Sequence, residues 1–371
     1  MNRLLLSEKE LAKLFVMTIL SVTLFGLPGL FGMMLMQWIT RQSYAIDQVD
    51  KHGIGEAQAS RLGGAVIIGC SVVLLLVDFA ANGSGLGNGP LGVHLFAWLA
   101  CLSCAFLGLL EDIQNDSLKP RFRLLCKALV FLVTIGFWPD LVPSALGVPG
   151  LDMLLAYPPM AWLMTMIFCV GFLNAINMSD GANGLMPGIF FIAFLVFFLE
   201  SDAAIYSILT TTSGFFLIFN VISGRLVLGD AGSYGLGTVA ALSGLILYST
   251  NTFSVSFLAV LFGYPCIELI VSMLRRSFSG HSMFLPDNDH FHNRLHFHLS
   301  VRLDSKTMAN SLTGLIIAAA SSGVALTGYL LGGSVKSESI WAAIFIAQCL
   351  AYGFAYYFSG RKRSLNQSVT G

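Results

Sequence analysis

The chain has 371 residues, of which 56% are hydrophobic and 11% charged, and its formal net charge is zero. Soluble domains carry about a quarter charged residues, so this composition excludes a water-soluble globular protein. The balanced charge gives no basis for a nucleic-acid partner.

A hydrocarbon layer ~30 Å thick calls for about 20 apolar residues per helix. Runs of that kind recur, as in 62–81 and 91–110, whereas a membrane barrel would show short alternating segments. In chain order the predicted spans are 11–39, 62–81, 91–110, 122–138, 159–176, 185–199, 203–222, 235–250, 254–273, 307–331 and 339–359. The fold class is therefore an all-α polytopic membrane protein of eleven spans. It has ten if the pair within 185–222, parted only by Glu200, Ser201 and Asp202, counts as one. The first span is longer than a signal-peptide core and follows acidic residues, so it is expected to stay in the protein. No soluble module, low-complexity tract or repeat interrupts 1–371, which reads as a single membrane-embedded unit with its motifs between about 55 and 300.

Eleven spans place the loops alternately on two sides. One side holds Arg41, Lys51, Arg61, Lys119, Arg121, Arg123, Arg225, Arg275, Arg276, Arg294, Arg302, Lys306, Arg361, Lys362 and Arg363, with Lys127 just inside a helix there. The other side holds Arg3, Lys9, Lys13 and Lys336. The positive-inside rule makes the rich side cytoplasmic, which puts the N-terminus outside and the C-terminus in the cytoplasm. The seven cysteines all fall in predicted spans and read as packing residues. Cys101 and Cys104 form a C-x-x-C with no second pair, so a zinc or redox role is not expected.

The polar motifs all lie on the basic side. Arg61 precedes Gly63 and Gly64 at a helix start, as either a membrane anchor or a phosphate contact. In 107–121, Glu111 and Asp112 close an apolar helix, with Asn115 and Asp116 following. Adjacent carboxylates at a membrane edge repel each other, and a divalent metal or cationic ligand offsets that cost. An acidic loop in water would read the same. In 172–185, Asn174, Asn177 and Asp180 recur at a spacing of three, which shares one helix face, and Asn183 sits between Gly181 and Gly184. Asp230, Gly232 and Ser233 follow Gly229, and such a glycine-flanked Asp suits a hard metal ion or an approaching phosphate, or else a tight turn. His290, His292, His296 and His298 cluster with Asp287, Asp289 and Arg294 but lack the spacing of a zinc hydrolase. His290 and His292 read as donors to phosphate oxygens, and His296 and His298 as surface or interfacial residues. Glu268 is an isolated carboxylate within a span, a functional candidate by its position.

Taken in order over roughly residues 55–300, these motifs resemble the polyprenyl-phosphate N-acetylhexosamine-1-phosphate transferase superfamily. The D-D-x-x-D pattern falls on Glu111, Asp112 and Asn115. N-x-x-N-x-x-D-G-x-D-G-L falls on Asn174 through Leu185, and G-D-x-G-S on Gly229 through Ser233. H-x-H-H falls on His290, His292 and Asn293, and Asn220 matches an asparagine near the nucleotide base. Glu111, Asn183 and Asn293 depart from the pattern. They point to a divergent subgroup nearer the N-acetylglucosamine type than the muramoyl-pentapeptide type.

The resemblance implies transfer of HexNAc-1-phosphate from a UDP-N-acetylhexosamine to undecaprenyl phosphate with release of UMP. This would be the initiating step of O-antigen or other cell-surface polysaccharide synthesis, at the cytoplasmic face of a bacterial inner membrane. It implies magnesium, with manganese as an alternative, held by Asp230 and Asn177. Glu111, Asp112 and Asp230 would be catalytic. Arg61, Asn174, Asn177, Asp180, Asn183, Asn220, Gly232, Ser233, His290, His292 and Arg294 would bind substrate. Membrane lipid is an expected partner and a homodimer is compatible. A transporter or flippase, or an inactive scaffold, are the alternatives.

Overall fold

The computed structural model describes residues 8–42, 44–46, 59–82, 95–114, 118–280 and 289–369. Arg3, Lys51, Asn115, Asp116 and Asp287 lie outside the described residues.

The described chain begins with α1 (Glu8–Arg41), kinked at Gly26, where φ is 60°, just before Pro28. It continues through α2 (Gly63–Asn82), α3 (Leu95–Gln114) and α4 (Pro120–Phe137), which Pro120 opens. A short 3-10 turn, Pro139–Leu141, leads to α5 (Pro149–Leu155), α6 (Pro158–Ser179), α7 (Leu185–Ser201), α8 (Ala204–Ser223) and α9 (Gly229–Ser249). The last part holds α10 (Val255–Leu261), α11 (Gly263–Phe278), α12 (Phe291–Ser300), α13 (Lys306–Ala320), α14 (Ser322–Leu330) and α15 (Glu338–Val369).

The all-α polytopic reading is borne out, and every one of the eleven expected spans contains a helix. Among the described residues seven helices are long and apolar enough to cross a membrane. The number is nine when the bent pairs α10–α11 (81°) and α13–α14 (47°) each count as one span. The two remaining expected spans are α4 and α7. Arg121, Arg123 and Lys127 interrupt the apolar character of α4, and α7 has 17 residues.

The most enclosed helix is α9, with 89% of its apolar window buried. Glycines let its neighbours approach closely, the usual device where apolar burial gives no drive between helices. A Cβ on Gly64 of α2 would lie 2.0 Å from the Gly232 nitrogen, and one on Gly108 of α3 would lie 2.3 Å from the Asp230 carbonyl oxygen. A backbone pairing ties the start of α2 to the start of α9. Ser60 N–H donates to Arg225 O, Val227 N–H to Ser60 O, Gly63 N–H to Val227 O and Gly64 N–H to Leu228 O, at 2.7–3.0 Å. These contacts bring the ends of α2, α3 and α9 to one edge of the bundle.

Candidate active site

α3 runs four residues beyond the expected span, so Glu111 and Asp112 belong to its last turn. Both side chains are fully buried. Asp112 accepts the backbone amides of Asp230 (2.9 Å) and Ala231 (2.8 Å), one on each oxygen. It thereby serves the unpaired N–H groups that open α9, where a helix end favours negative charge. Gly229 has φ 71°, and a Cβ there would lie 2.2 Å from the Arg61 carbonyl oxygen and 2.8 Å from Asp112 Oδ2, so only glycine fits between them. Glu111 accepts the Leu118 amide at 2.8 Å and pairs with Arg123 at 3.2 Å.

Asp230 is the more open carboxylate, with its side chain 18% exposed. Its Oδ1 accepts from Asn177 Nδ2 at 2.6 Å, and its Oδ2 lies 3.5 Å from Arg123. One turn before Asn177, Asn174 Oδ1 accepts from Lys127 Nζ at 2.5 Å. Lys127 is buried and stands 4.2 Å over the Tyr234 ring. The spacing of three predicted for Asn174 and Asn177 is therefore one continuous polar face. Sequence reasoning missed Arg123 and Lys127 as members of this cluster. The signal was present, because the two are four residues apart on one face of α4 immediately after the acidic motif.

A second cluster forms around Glu268, which is fully buried. Its Oε1 accepts from His290 Nδ1 (3.0 Å) and Ser272 Oγ (3.3 Å). Its Oε2 accepts from Tyr352 (2.8 Å), Tyr264 (3.2 Å) and the Phe291 amide (3.1 Å). His292 Nδ1 meets the Tyr264 hydroxyl at 2.9 Å, and the two imidazoles stack with centroids 5.4 Å apart. A Cβ on Gly181 would lie 2.2 Å from His292 Nε2. The histidine segment thus meets the 180–184 turn, which directly follows Asn177. Tyr264 and Tyr352 carried no sequence signal beyond being aromatic residues in apolar helices.

Several residues expected to contact ligands are engaged within the protein. Gly232 and Ser233 are the fourth and fifth residues of α9, not part of a loop, and both are buried. Gly232 is pressed on Gly64 of α2 and is a packing position. Asn220, expected at a nucleotide base, is buried and committed to the fold. Its Oδ1 accepts the Gly184 amide at 2.6 Å, and its Nδ2 donates to Leu226 O at 2.8 Å and Asn183 Oδ1 at 3.3 Å. Asn183 is buried too, with its own amide on Asn310 Oδ1 at 3.1 Å. Arg294 forms a two-bond pair with Asp289 (2.7 Å each), donates to Tyr356 O at 2.9 Å and lies 3.7 Å over the Tyr356 ring. Its donors hold α12 to α15. Arg294 in turn holds the Asp289 carboxyl below the usual carboxylate range. His296, expected at the surface or an interface, is buried, and that burial moves its imidazole down from the ordinary value.

Among the described residues no group of three or more His, Cys, Asp or Glu side chains is placed to hold a metal ion by itself. The Asp230 carboxylate and the Asn177 amide still suit an ion of the magnesium kind. Such an ion takes one or two protein ligands and fills its other positions with water and substrate phosphate. The partial exposure of Asp230, against the full burial of Glu111 and Asp112, makes it the carboxylate such an ion would reach first.

The description "Glycosyl transferase family 4" matches residues 94–248. Over 314 residues the chain is 28% identical to the "Probable undecaprenyl-phosphate N-acetylglucosaminyl 1-phosphate transferase" of Bacillus subtilis (strain 168), covering 81% of this chain and 80% of that protein. It is 32% identical over 195 residues to the "Phospho-N-acetylmuramoyl-pentapeptide-transferase" of Synechococcus sp. (strain JA-2-3B'a(2-13)), covering 48% and 55%. It is 24% identical over 214 residues to the "Undecaprenyl-phosphate alpha-N-acetylglucosaminyl 1-phosphate transferase" of Escherichia coli O157:H7, covering 54% and 58%. The matched region contains the Glu111, Asp112, Asn174, Asn177, Asp180 and Asp230 positions, and it is over this region that the chain is similar to glycosyl transferase family 4.

Proposed function

We propose that the protein transfers HexNAc-1-phosphate from a UDP-N-acetylhexosamine to undecaprenyl phosphate and releases UMP, at the cytoplasmic face of a bacterial inner membrane. In net terms an oxygen of the lipid phosphate bonds to the sugar-bearing phosphorus, and the bond from that phosphorus to the UMP oxygen breaks. The product would initiate a cell-surface polysaccharide such as O-antigen.

The observation that carries this reading is the Asp230 environment: one part-open carboxylate flanked by Arg123, Asn177 and, a turn away, Lys127. Two anionic phosphates must meet here, and fixed cations beside them lower the repulsion in a poorly hydrated place. Arg123 is held at the site by Glu111, and Lys127 by Asn174. Asp112 fixes the first turn of α9 and with it the backbone that carries Asp230. The Gly181 turn, four residues after Asn177, packs against His292, where charge-assisted bonds to a phosphate are available when the ring is cationic. A magnesium ion on Asp230 and Asn177 would neutralise phosphate charge and stabilise the departing UMP.

The test is UMP release with magnesium, undecaprenyl phosphate and a panel of UDP-HexNAc donors, for the wild type and Asp230→Asn. Wild-type release that Asp230→Asn abolishes is expected. Undiminished release by the variant would overturn the assignment. The transporter alternative gains from the two bent helix pairs. Movement of labelled substrate across a vesicle without UMP release would favour it.

A further inference from the structure

The two histidines sit in a network whose far side belongs to α15, a helix remote from them in sequence and otherwise little buried. Three connections link α15 to Glu268 and the histidine segment. Tyr352 donates to Glu268 Oε2 at 2.8 Å. Tyr356 stacks under Arg294 and hydrogen-bonds Arg275 and Asp289. Ser359 O lies 3.0 Å from His298 Nε2. Tyr352 and Tyr356 stack on each other with centroids 5.9 Å apart and planes 13° apart, so they form one rigid strut. On the other side, Glu268 takes His290 Nδ1 directly and reaches His292 Nδ1 through the Tyr264 hydroxyl.

Proton accounting along this chain has one consistent solution. Glu268 as a carboxylate is acceptor-only, so Tyr264 and Tyr352 donate to it and His290 carries a proton on Nδ1. Because Tyr264 has spent its single proton on Glu268, its oxygen accepts from His292, which therefore also carries a proton on Nδ1. Both rings then turn Nε2 away from Glu268, and that of His292 faces the Gly181 turn.

We propose that Glu268, braced by Tyr352 and Tyr356 of α15, is the positioning residue that sets the tautomer and the aim of His290 and His292. The histidines meet the substrate, while Glu268 and the α15 tyrosines act through them. This deepens the transferase reading and rests on it, but its first readout needs no turnover. The number of donors on one buried carboxylate supports the assignment. A carboxylate offers about four lone-pair sites, and all of them are engaged by groups that carry or brace the histidine segment.

The experiment uses full-length protein labelled with 15N-histidine, as wild type, Glu268→Gln, Tyr352→Phe and Tyr356→Phe. Long-range 1H–15N spectra report which ring nitrogen is protonated, and UMP release is measured on the same samples. The wild type should show His290 and His292 protonated at Nδ1. Glu268→Gln should shift both toward the Nε2-protonated form and lower kcat about tenfold or more, the effect of losing ~1.4 kcal/mol of orientation. Tyr352→Phe keeps volume and should give a smaller shift and about a threefold loss, with KM for the UDP-sugar moved less than kcat. Wild-type spectra in every variant would overturn the proposal, as would a rate loss without a tautomer change. If the wild type released no UMP while the spectra behaved as stated, the transferase reading would fail and the positioning of the histidines would stand.

Discussion

Asp112 and Asp230 meet through the backbone: the carboxylate in the last turn of α3 accepts the second and third amides of α9, those of Asp230 and Ala231, at 2.9 and 2.8 Å. Two acidic residues of the motif are thus neighbours without sharing a ligand. Asp112 is stabilised by helix amides, and Asp230 by Asn177 and Arg123.

Asp112→Ala should lower stability by about 1–3 kcal/mol, since it leaves buried amides without their charged acceptor. Asp112→Asn should restore only part of this, because its single amide oxygen can serve one of the two donors. Thermal unfolding in detergent measures both. If Asp112→Asn unfolds like the wild type yet has lost most of its turnover, Asp112 takes a direct part in the chemistry.

Arg123→Ala removes the cation next to the fully buried Glu111. Arg123 itself is part-exposed, so the cost is that of a screened pair, about 1–3 kcal/mol. Adding Glu111→Gln removes the stranded charge and should recover much of that stability, but not the UMP release, because Asp230 also loses its nearest cation. Additive losses in the double variant would show that the pair is not coupled.

Gly64→Ala places a methyl group 2.0 Å from the Gly232 nitrogen, a backbone atom that cannot move aside by rotating a side chain. Overpacking of this sort costs about 1–3 kcal/mol. Its effect should appear in turnover as well as in unfolding, because the displaced helix carries Asp230. Wild-type unfolding and turnover would show that α2 and α9 separate at little cost.

Stability should fall in two steps on acidification. Burial lowers the His296 imidazole, so the unfolded chain takes up that proton first, and stability present at neutral pH declines below about 6.5. The Arg294 hydrogen bond lowers the Asp289 carboxyl, so its contribution is complete above about pH 4 and is lost only as pH falls through its lower folded value. His296→Gln should flatten the first step in a series of unfolding midpoints from pH 8 to 3. A midpoint independent of pH between 7 and 5 in the wild type would contradict the assignment.

The helices were legible because lipid imposes a simple rule on length and composition, which all eleven expected spans obeyed to the extent of containing a helix. The bends at Phe262 and Ser321 were not foreseen, although Gly263 and Pro265 follow the first and Ser322 and Gly323 the second, residue types at which helices kink. Spacing placed Asn174 and Asn177 on one face, and the structure shows what that face holds. The burial of Asn220, Gly232 and Ser233 was not legible, because a motif does not distinguish a residue facing a cleft from one packed behind it. Arg123 and Lys127 were read only as side-determining charge, and the α15 tyrosines only as part of an apolar span. Their roles depend on contacts between segments that share no local pattern.

The pairing of residues 60–64 with 225–228 also has a consequence for the order of biosynthesis. When α2 has been made and placed, the amides of Ser60, Gly63 and Gly64 have no partner until the ribosome has produced the residues after Ser223. Such groups would be intolerable in the hydrocarbon layer, but at its boundary water can serve them meanwhile. Translation at about 5–20 residues per second makes that wait several seconds or longer. The nascent chain therefore holds α2 and α3 without the surface that joins them, and the carboxylate site comes into being only when α9 enters between them.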